Sequence, residues 1–486
     1  MKNRFIYNFI AVIAVVLFLS SENAFAADKN ANVSLPSFKV TLNGSEINNS
    51  YSQYPLIVYK DITYFPMTFG GCRYLGLETK WDQEAGLEIN KTNISYPFEE
   101  YKTNQKNSTE YTALIPEFNI KINGKTVDKS NAEYPLLSFR DITYFPLTWE
   151  YGVNEFGWDY HFDNNNGLVI KSQNASPEML ELVDHLHEED RCGGFIVQGD
   201  YIYYTGNNGT IYRAPLNDLK NNRKIYQLPK DTYFGEDEDI YVKPYFNHRD
   251  GKVIFSYSAS GTKGMTYEIA IKADGTTMEP VAIGPFIAPE VSEEGFLMYK
   301  SKSSYETDNY LYMITSNINV DNDPHKIYKL NKETGKITLV NKKPAEAFKY
   351  RNERLYFVSD DSMLYSLFLD DETIRLESSG PVYRENYEVL GNDIYYINDK
   401  DQKVYKEGDT NSLNLGETGE TIKMTGDYIV LNFNTTLDKS YRSIVYDKNG
   451  NVAFILPRIM SEVSADSNIM TYFDEFDKKV FLVEMR

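Results

Sequence analysis

The chain has 486 residues, which is enough for several hydrophobic cores, and only two cysteines. Its formal net charge is −20 at pH 7, with Asp+Glu 70 against Lys+Arg 50. Such an acidic chain is a poor candidate for binding nucleic acid or anionic membrane surfaces by charge, which excludes those two function classes.

Residues 1–26 have the pattern of a signal peptide. Lys2 and Arg4 precede a short apolar run, and Ala-Phe-Ala at 24–26 fits the small-x-small cleavage pattern. We therefore predict export with cleavage after Ala26, and a secreted or cell-surface protein. An uncleaved anchor is the alternative, but the run is short for a bilayer span and nothing later in the sequence is long enough.

One phrase of the sequence occurs twice. Tyr-Pro-Leu and Asp-Ile-Thr-Tyr-Phe-Pro occupy 54–66 and recur at 134–146, so a structural unit is repeated in tandem. Each copy begins with an alternating strand that runs into Asn-Gly, which predicts a hairpin turn with positive φ. A strand then ends at Pro66 or Pro146, and proline suits the start of a short helix. One extra residue follows in the second copy.

These patterns predict two small α+β domains, each with antiparallel strands around one short helix. The predicted boundaries are 33–92 for the first copy, 93–112 for a polar linker and 113–172 for the second copy. We expect each helix to stop near Gly76 or Gly157.

The order of strand, Asn-Gly, Tyr-Phe-Pro, helix, glycine and final strand resembles the copper amine oxidase N-terminal-like domain, over about 35–92 and 115–172. The resemblance implies an exported protein of Gram-positive bacteria in which the module is accessory. In those oxidases the copper and the tyrosine-derived quinone belong to a separate catalytic domain.

The pattern of residues changes after the second copy. Ser176 and Pro177 are typical of a helix start, which predicts a helical linker over 173–190. From 191 to 486, groups of short strands repeat at about 42 residues, which predicts a β-propeller of six or seven blades. A long β-solenoid or two sandwiches are the alternatives. The last unit lacks a fourth strand, and we expect another part of the chain to supply it.

Gly-Asp-Tyr-Ile-Tyr-Tyr at 199–204 is similar to a bacterial surface propeller of unknown function, related to the low-density lipoprotein receptor type.

A disulfide between Cys72 and Cys192 would join the first copy to the propeller, and two free thiols are the alternative.

Candidate metal ligands are few. His185 and His187 are spaced as His-x-His, and 386–388 is Asn-Tyr-Glu, but their order in the chain is the reverse of that in the oxidases. On the predicted helix the two histidines point about 200° apart. A run of acidic residues could bind calcium or be a solvated loop: Glu236, Asp237, Glu238 and Asp239. We predict no catalytic residues and no cofactor.

The sequence therefore predicts an exported, non-catalytic binding or scaffold protein of the bacterial cell envelope. Its partner would be a cell-wall glycan or an envelope protein, contacted through the many tyrosines. The alternative is a secreted propeller enzyme, a glycan lyase or hydrolase, with its site in the central channel.

Overall fold

The structure, a computed structural model, describes residues 29–127, 133–185, 187–188, 191–192, 194–229, 245–249, 251–258, 265–285, 290–291, 297–298, 304–316, 324–413, 418–434, 441–474 and 476–485. The signal peptide and residues 236–239 lie outside these ranges. The chain divides into two compact units. The first runs to Lys91 and resumes over Glu99–Gln173, and the second holds Thr92–Phe98 and Asn174–Arg486.

Each sequence repeat supplies seven strands to the first unit, in the same order. The first repeat has β1 Lys29–Ser34, β2 Val40–Leu42, β3 Ser45–Glu46, β4 Ile57–Tyr59, β5 Ile62–Pro66, β6 Leu77–Asp82 and β7 Gly86–Lys91. The second has β8 Glu110–Ile115, β9 Ile120–Ile122, β10 Lys125–Thr126, β11 Leu137–Phe139, β12 Ile142–Pro146, β13 Asp159–Asp163 and β14 Gly167–Lys171. A 3-10 turn at Asn49–Tyr51, helix α1 at Phe69–Tyr74 and a π-helical turn at Glu150–Glu155 complete the unit.

The two repeats build one closed barrel between them. Its strand order is β1-β4-β5-β12-β11-β8, and every neighbouring pair is antiparallel. Strands β5 and β12 meet with Phe65 opposite Phe145, the same position in each copy. The repeats are therefore related by a pseudo-twofold axis that passes through this pair.

The repeats also exchange strands. Strand β7 pairs in parallel with β9 of the second copy, and β14 pairs in parallel with β2 of the first copy. Two four-stranded sheets result, with the orders β10-β9-β7-β6 and β13-β14-β2-β3. Their apolar faces form one core with α1, which includes Cys72, Phe156 and Trp158.

The prediction of two α+β domains around a helix is wrong. The protein is 54% strand and 5% helix, and α1 has only six residues. The local elements were placed correctly, since Asn43-Gly44 and Asn123-Gly124 turn with positive φ and Gly76 and Gly157 end the helical turns. What local pattern does not contain is the identity of each strand's partner, which here belongs to the other copy.

The second unit is built from short antiparallel sheets that follow one another along the chain. Its first strands are β15 Glu178–Met179, β16 His187–Glu188, β17 Arg191–Cys192, β18 Phe195–Gln198, β19 Tyr201–Thr205, β20 Thr210–Pro215, β21 Arg223–Gln227, β22 Tyr245–Arg249, β23 Lys252–Ser258, β24 Met265–Ile271, β25 Val281–Pro285, β26 Glu290–Val291, β27 Leu297–Met298, β28 Ser304–Glu306, β29 Tyr310–Thr315, β30 Lys326–Asn331 and β31 Ile337–Pro344. There follow β32 Lys349–Arg351, β33 Arg354–Val358, β34 Leu364–Phe368, β35 Ile374–Leu376, β36 Val382–Leu390, β37 Asp393–Asn398, β38 Val404–Lys406, β39 Thr418–Thr425, β40 Tyr428–Asn434, β41 Tyr441–Tyr446, β42 Val452–Leu456, β43 Met460–Asp466, β44 Ile469–Asp474 and β45 Lys479–Glu484. A 3-10 turn occupies Asn207–Gly209.

Seven successive sheets of three or four strands occur among the described residues, and they begin at β18, β22, β28, β32, β36, β39 and β43. Two small extra pairs, β16-β17 and β26-β27, accompany them. Of the two blade numbers that the sequence left open, the sheets in the described part of the chain number seven.

Among the described residues, shared cores join the first sheet to the second and each of the third to sixth sheets to the next, and the last sheet packs on the first. Phe473 and Val480 of the seventh sheet share a core with Phe195 and Tyr204 of the first. Ser464 in β43 accepts a hydrogen bond from Val197 N in β18 at 3.0 Å. The sheets therefore close into a ring, as the blades of a propeller do.

The missing fourth strand of the last sheet comes from before the propeller, as predicted. Strand β15 pairs with β45, Glu178 opposite Leu482. The predicted helix over 177–188 is therefore wrong, and none of the described residues there is helical. The free edge of β45 offers these residues interstrand hydrogen bonds, and those outweigh their weak helix-start signal.

Cys72 is a free, fully buried thiol, so the predicted alternative of a disulfide with Cys192 is not formed. In the described part of the chain, no helix has the length and apolar character needed to cross a bilayer.

Candidate functional site

The two repeats differ most where β5 and β12 lead into their helical turns. Thr68 Oγ1 accepts from Gly71 N at 3.1 Å and caps α1, while Thr148 Oγ1 lies 3.4 Å from Tyr151 N. The extra residue of the second copy is absorbed as a π-helical turn, a rare form that often lies at functional sites. Trp149 there takes the position of Phe69.

In the first repeat, the chain itself covers this place. The segment that returns from the second unit runs alongside the 3-10 turn, where Gln53 N donates to Tyr101 O at 2.7 Å and Thr103 N donates to Tyr51 O at 2.8 Å. The Tyr101 ring stands edge-on to Tyr54, with 5.7 Å between centroids. A short extended segment therefore lies on the first repeat and places one tyrosine beside it.

The hydroxyl of Tyr101 is held at the start of α1. It donates to Glu99 Oε2 at 2.8 Å, and burial followed by this bond raises the pKa of Tyr101 to about 12. The Thr68 hydroxyl and the backbone N–H of Gly70 face the same oxygen and oppose that pKa shift. Threonine and backbone N–H thus form a small polar socket for a phenol.

In the second repeat, the equivalent place is an open pocket of about 720 Å³. Its wall mixes aromatic, aliphatic and charged groups: Ile62, Ile122, Lys125, Thr126, Val127, Glu133, Tyr134, Thr148, Trp149, Glu150, Tyr151 and Glu155. Trp149 is 59% exposed, close to the 56% of Phe69. The Trp149 ring is steadied by an edge contact with Tyr160 at 6.1 Å.

The pocket's backbone is held as in the first repeat. Lys60 Nζ donates to Glu133 O at 3.4 Å, and Arg140 Nη1 donates to Gln53 O at 2.6 Å. Lys60 and Arg140 occupy the same position in the two copies, as do Glu133 and Gln53.

The rim of the pocket is acidic. The described lining residues include Glu133, Glu150 and Glu155 and one lysine, Lys125, which pairs with Glu155 at 3.1 Å. Burial, then Glu150 and Glu155, raises the pKa of Tyr151, so this hydroxyl stays neutral. An aromatic wall beside uncompensated carboxylates favours a ligand with a flat ring and positive charge.

A second group of titratable residues lies on β32 and β36, the first strands of two successive sheets. Lys349 Nζ donates hydrogen bonds to Glu388 Oε1 at 3.0 Å and to Tyr387 O at 2.6 Å. Burial, then the charge of Glu346, raises the pKa of Glu385. The backbone of Glu385 also has a positive φ of 60°, which costs energy for a residue with a Cβ.

The oxidase-like residues are not brought together. His185 lies edge-on to Phe195 and Tyr204, with centroids 6.4 and 5.9 Å away. Tyr387, of the Asn-Tyr-Glu phrase, is buried and donates to Tyr356 O at 2.6 Å, as a core tyrosine does. The side chain of His187 and residues 236–239 lie outside the described residues. Within the described residues, no group of three or more His, Cys, Asp or Glu could hold a metal ion.

The pocket was not predicted from the sequence. Its signal in the sequence is the difference between the copies, namely the extra residue between 149 and 157 and the change of Phe69 to Trp149.

The ring of sheets places the second unit among β-propellers. No protein-family model and no curated protein matches the chain. Similar solved structures include the computationally designed Ika8 protein, 12% identical over 63% of this chain and 98% of that chain, with a TM-score of 0.37. BamB from Moraxella catarrhalis is 10% identical over 64% of this chain and 98% of that chain, with a TM-score of 0.37. TolB from Acinetobacter baumannii is 12% identical over 60% and 65%, with a TM-score of 0.27. Likeness of this degree identifies no function.

Proposed function

We propose that the protein is an exported, non-catalytic binding protein of the bacterial cell envelope. In this proposal the two copper amine oxidase N-terminal-like repeats form its binding module, and the propeller is a scaffold for an envelope protein or cell-wall glycan. Support comes from the signal-like start of the sequence, the acidic composition and the pocket of the second repeat.

The observation that carries the proposal is Trp149. A large aromatic side chain that is more than half exposed, fixed by Tyr160 and flanked by polar groups, is typical of a contact surface. The described residues that line the pocket include no histidine or cysteine, and the Glu155 carboxylate is engaged by Lys125. Such a lining favours binding over catalysis.

The test uses the mature chain, residues 27–486, and purified cell-envelope fractions in a sedimentation assay. We expect retention of the wild type and at least a tenfold loss with Trp149→Ala, since an anchor residue contributes about 1.4 kcal/mol or more. The matched control is Phe69→Ala, which removes an equally exposed ring that does not line the pocket. Equal retention of the two variants would contradict the proposal.

The enzyme alternative rests on a different observation, the raised pKa of Glu385 in strand β36 of the propeller. A raised pKa lets a carboxyl hold its proton to a higher pH, as a general acid requires. Incubation of the mature chain with cell-wall glycans, followed by measurement of reducing ends, tests it. Product formation that Glu385→Gln abolishes would favour the enzyme over the binding protein.

A further inference from the structure

We propose that the pocket of the second repeat binds an extended peptide segment in which a tyrosine is followed by a basic residue. This inference rests on the proposed function and deepens it, because it names the ligand class for the Trp149 pocket. The proposed binding mode is based on a segment of the chain that packs against the first repeat, in which Tyr101 is followed by Lys102.

Four residues of the first repeat that contact Tyr101 have described counterparts in the second repeat. The groups are Gln53 for the backbone, Tyr54 for the ring, and Thr68 and Gly70 for the hydroxyl. Their counterparts are Glu133, Tyr134, Thr148 and Glu150, all of which line the pocket. A bound peptide carbonyl would accept from Glu133 N as Tyr101 O accepts from Gln53 N, which is recognition by addition of an extended chain.

Among the described residues, no segment of the chain covers the second repeat as Tyr101 covers the first. One repeat after Tyr101, at the offset of 81 that the extra residue creates, stands Leu182. That stretch belongs to the second unit, where Leu180 N donates to Val480 O at 2.9 Å and Leu182 packs against the core between the first and last sheets. This segment therefore pairs with β45 and does not cover the second repeat.

The chemistry around the two places differs in charge. Where the first repeat has Gln53 and Gly70, the second has Glu133 and Glu150. Two added carboxylates favour a cation beside the bound tyrosine. In the first repeat Lys102 instead pairs with Glu100 of its own segment, at 3.0 Å. The pocket therefore selects a basic peptide from outside over an acidic one.

The experiment titrates the mature chain with a synthetic peptide, Gln-Gln-Tyr-Lys-Thr-Asn-Gln-Lys, followed by calorimetry. This probe is based on residues 99–106 and has glutamine in place of the two glutamates. We expect one peptide per chain, binding weakened at least about tenfold when the peptide tyrosine is replaced by alanine, and a similar loss with Trp149→Ala. Phe69→Ala should bind within about twofold of the wild type, because Phe69 does not line the pocket.

A second variant keeps the result independent of folding. Glu150 is exposed, so Glu150→Gln leaves the fold intact while it removes one rim charge. We expect this variant to bind the lysine peptide more weakly and with a smaller salt dependence, because screening acts on the charge that was removed. Unchanged affinity and unchanged salt dependence would contradict the basic specificity.

The outcomes separate this inference from the proposed function. Absent peptide binding, or binding insensitive to both the peptide tyrosine and Trp149, overturns the inference. If Trp149→Ala still abolishes retention by cell-envelope fractions, the proposed function survives that failure. Self-association of the chain that is lost with Trp149→Ala, measured by analytical ultracentrifugation, identifies a second copy as the occupant and also overturns the inference.

Discussion

Gly86 and Asn119 touch backbone to backbone at the point where the repeats exchange strands. A Cβ on Gly86 would lie 2.0 Å from the carbonyl oxygen of Asn119, and Leu87 N donates to that oxygen at 2.8 Å. The pseudo-twofold axis repeats the contact, since a Cβ on Gly167 would lie 2.0 Å from Lys39 O. The parallel pairings between the copies therefore depend on two glycines.

Replacement of the first of these glycines should destabilise the first unit. Gly86→Ala combines a positive φ of 84° with backbone overlap, and we expect a loss of about 3 kcal/mol or more. Gly44→Ala is the control, because its φ is 90° but a Cβ there meets nothing within 4 Å, so about 1–2 kcal/mol is expected. Urea unfolding followed by tryptophan fluorescence is the measurement, since all three tryptophans belong to the first unit. Equal losses of stability in the two variants would show that the close contact between the Gly86 and Asn119 backbones is unimportant.

The propeller should depend on the strand that precedes it. Leu180→Pro removes the N–H that donates to Val480 O, and we expect it to cost about 2–3 kcal/mol more than Leu180→Ala, which keeps that donor. Both variants lose the same side chain from the core, so their difference isolates the backbone bond. Calorimetry of the propeller's unfolding transition is the readout. Coincident transitions for the two variants would rule out a closing role for β15.

The Cys72 thiol should be inert in the native protein and should make the first unit sensitive to alkali. Burial raises its pKa to about 12, from a usual value near 9. A raised folded-state pKa gives stability that is complete below about pH 9 and is lost as the pH rises toward 12, by about 1.4 kcal/mol per unit.

In a Cys192→Ser background, we expect a thiol reagent at pH 8 to label Cys72 only after denaturation. Urea midpoints between pH 8 and pH 11 measure the alkaline loss. Cys72→Ala in the same background should have a shallower pH dependence, and rapid labelling of the native chain would contradict the burial.

The segment that carries Tyr101 should stabilise the first repeat through both its ring and its hydroxyl. We expect Tyr101→Ala to cost about 2 kcal/mol and Tyr101→Phe about 1 kcal/mol, since phenylalanine keeps the edge contact with Tyr54 and loses the polar socket. Urea unfolding followed by tryptophan fluorescence measures both. No difference between phenylalanine and tyrosine would mean that the Thr68 and Gly70 socket contributes nothing, and would weaken the case for its counterpart in the second repeat.

Several elements could be predicted because neighbouring residues decide them. The series of short strands after residue 191 was predicted from its repeat, and the missing last strand was expected from a simple count. The prediction of a helix over 177–188 was wrong, because Ser176 and Pro177 start a helix only when no free sheet edge offers hydrogen bonds to the same backbone. The pocket was not predicted for another reason, since the residues that line it come from β5, β9, β10 and the π-helical turn, which are far apart in the sequence.

The sequence by itself determined the local conformations of this protein. Asn-Gly at 43–44 must turn with positive φ, and Pro66 must end a strand, because these limits act within a residue or two. Tertiary structure decided the pairing. Both copies carry the same strands and offer the same edges, so pairing within a copy and pairing between copies satisfy the local pattern equally well. Close backbone contacts, such as that of Gly86 with Asn119, favour the exchanged arrangement. Residues 178–182 contact β45 instead of the second repeat, so the second repeat has an open pocket at the place where the first repeat holds Tyr101.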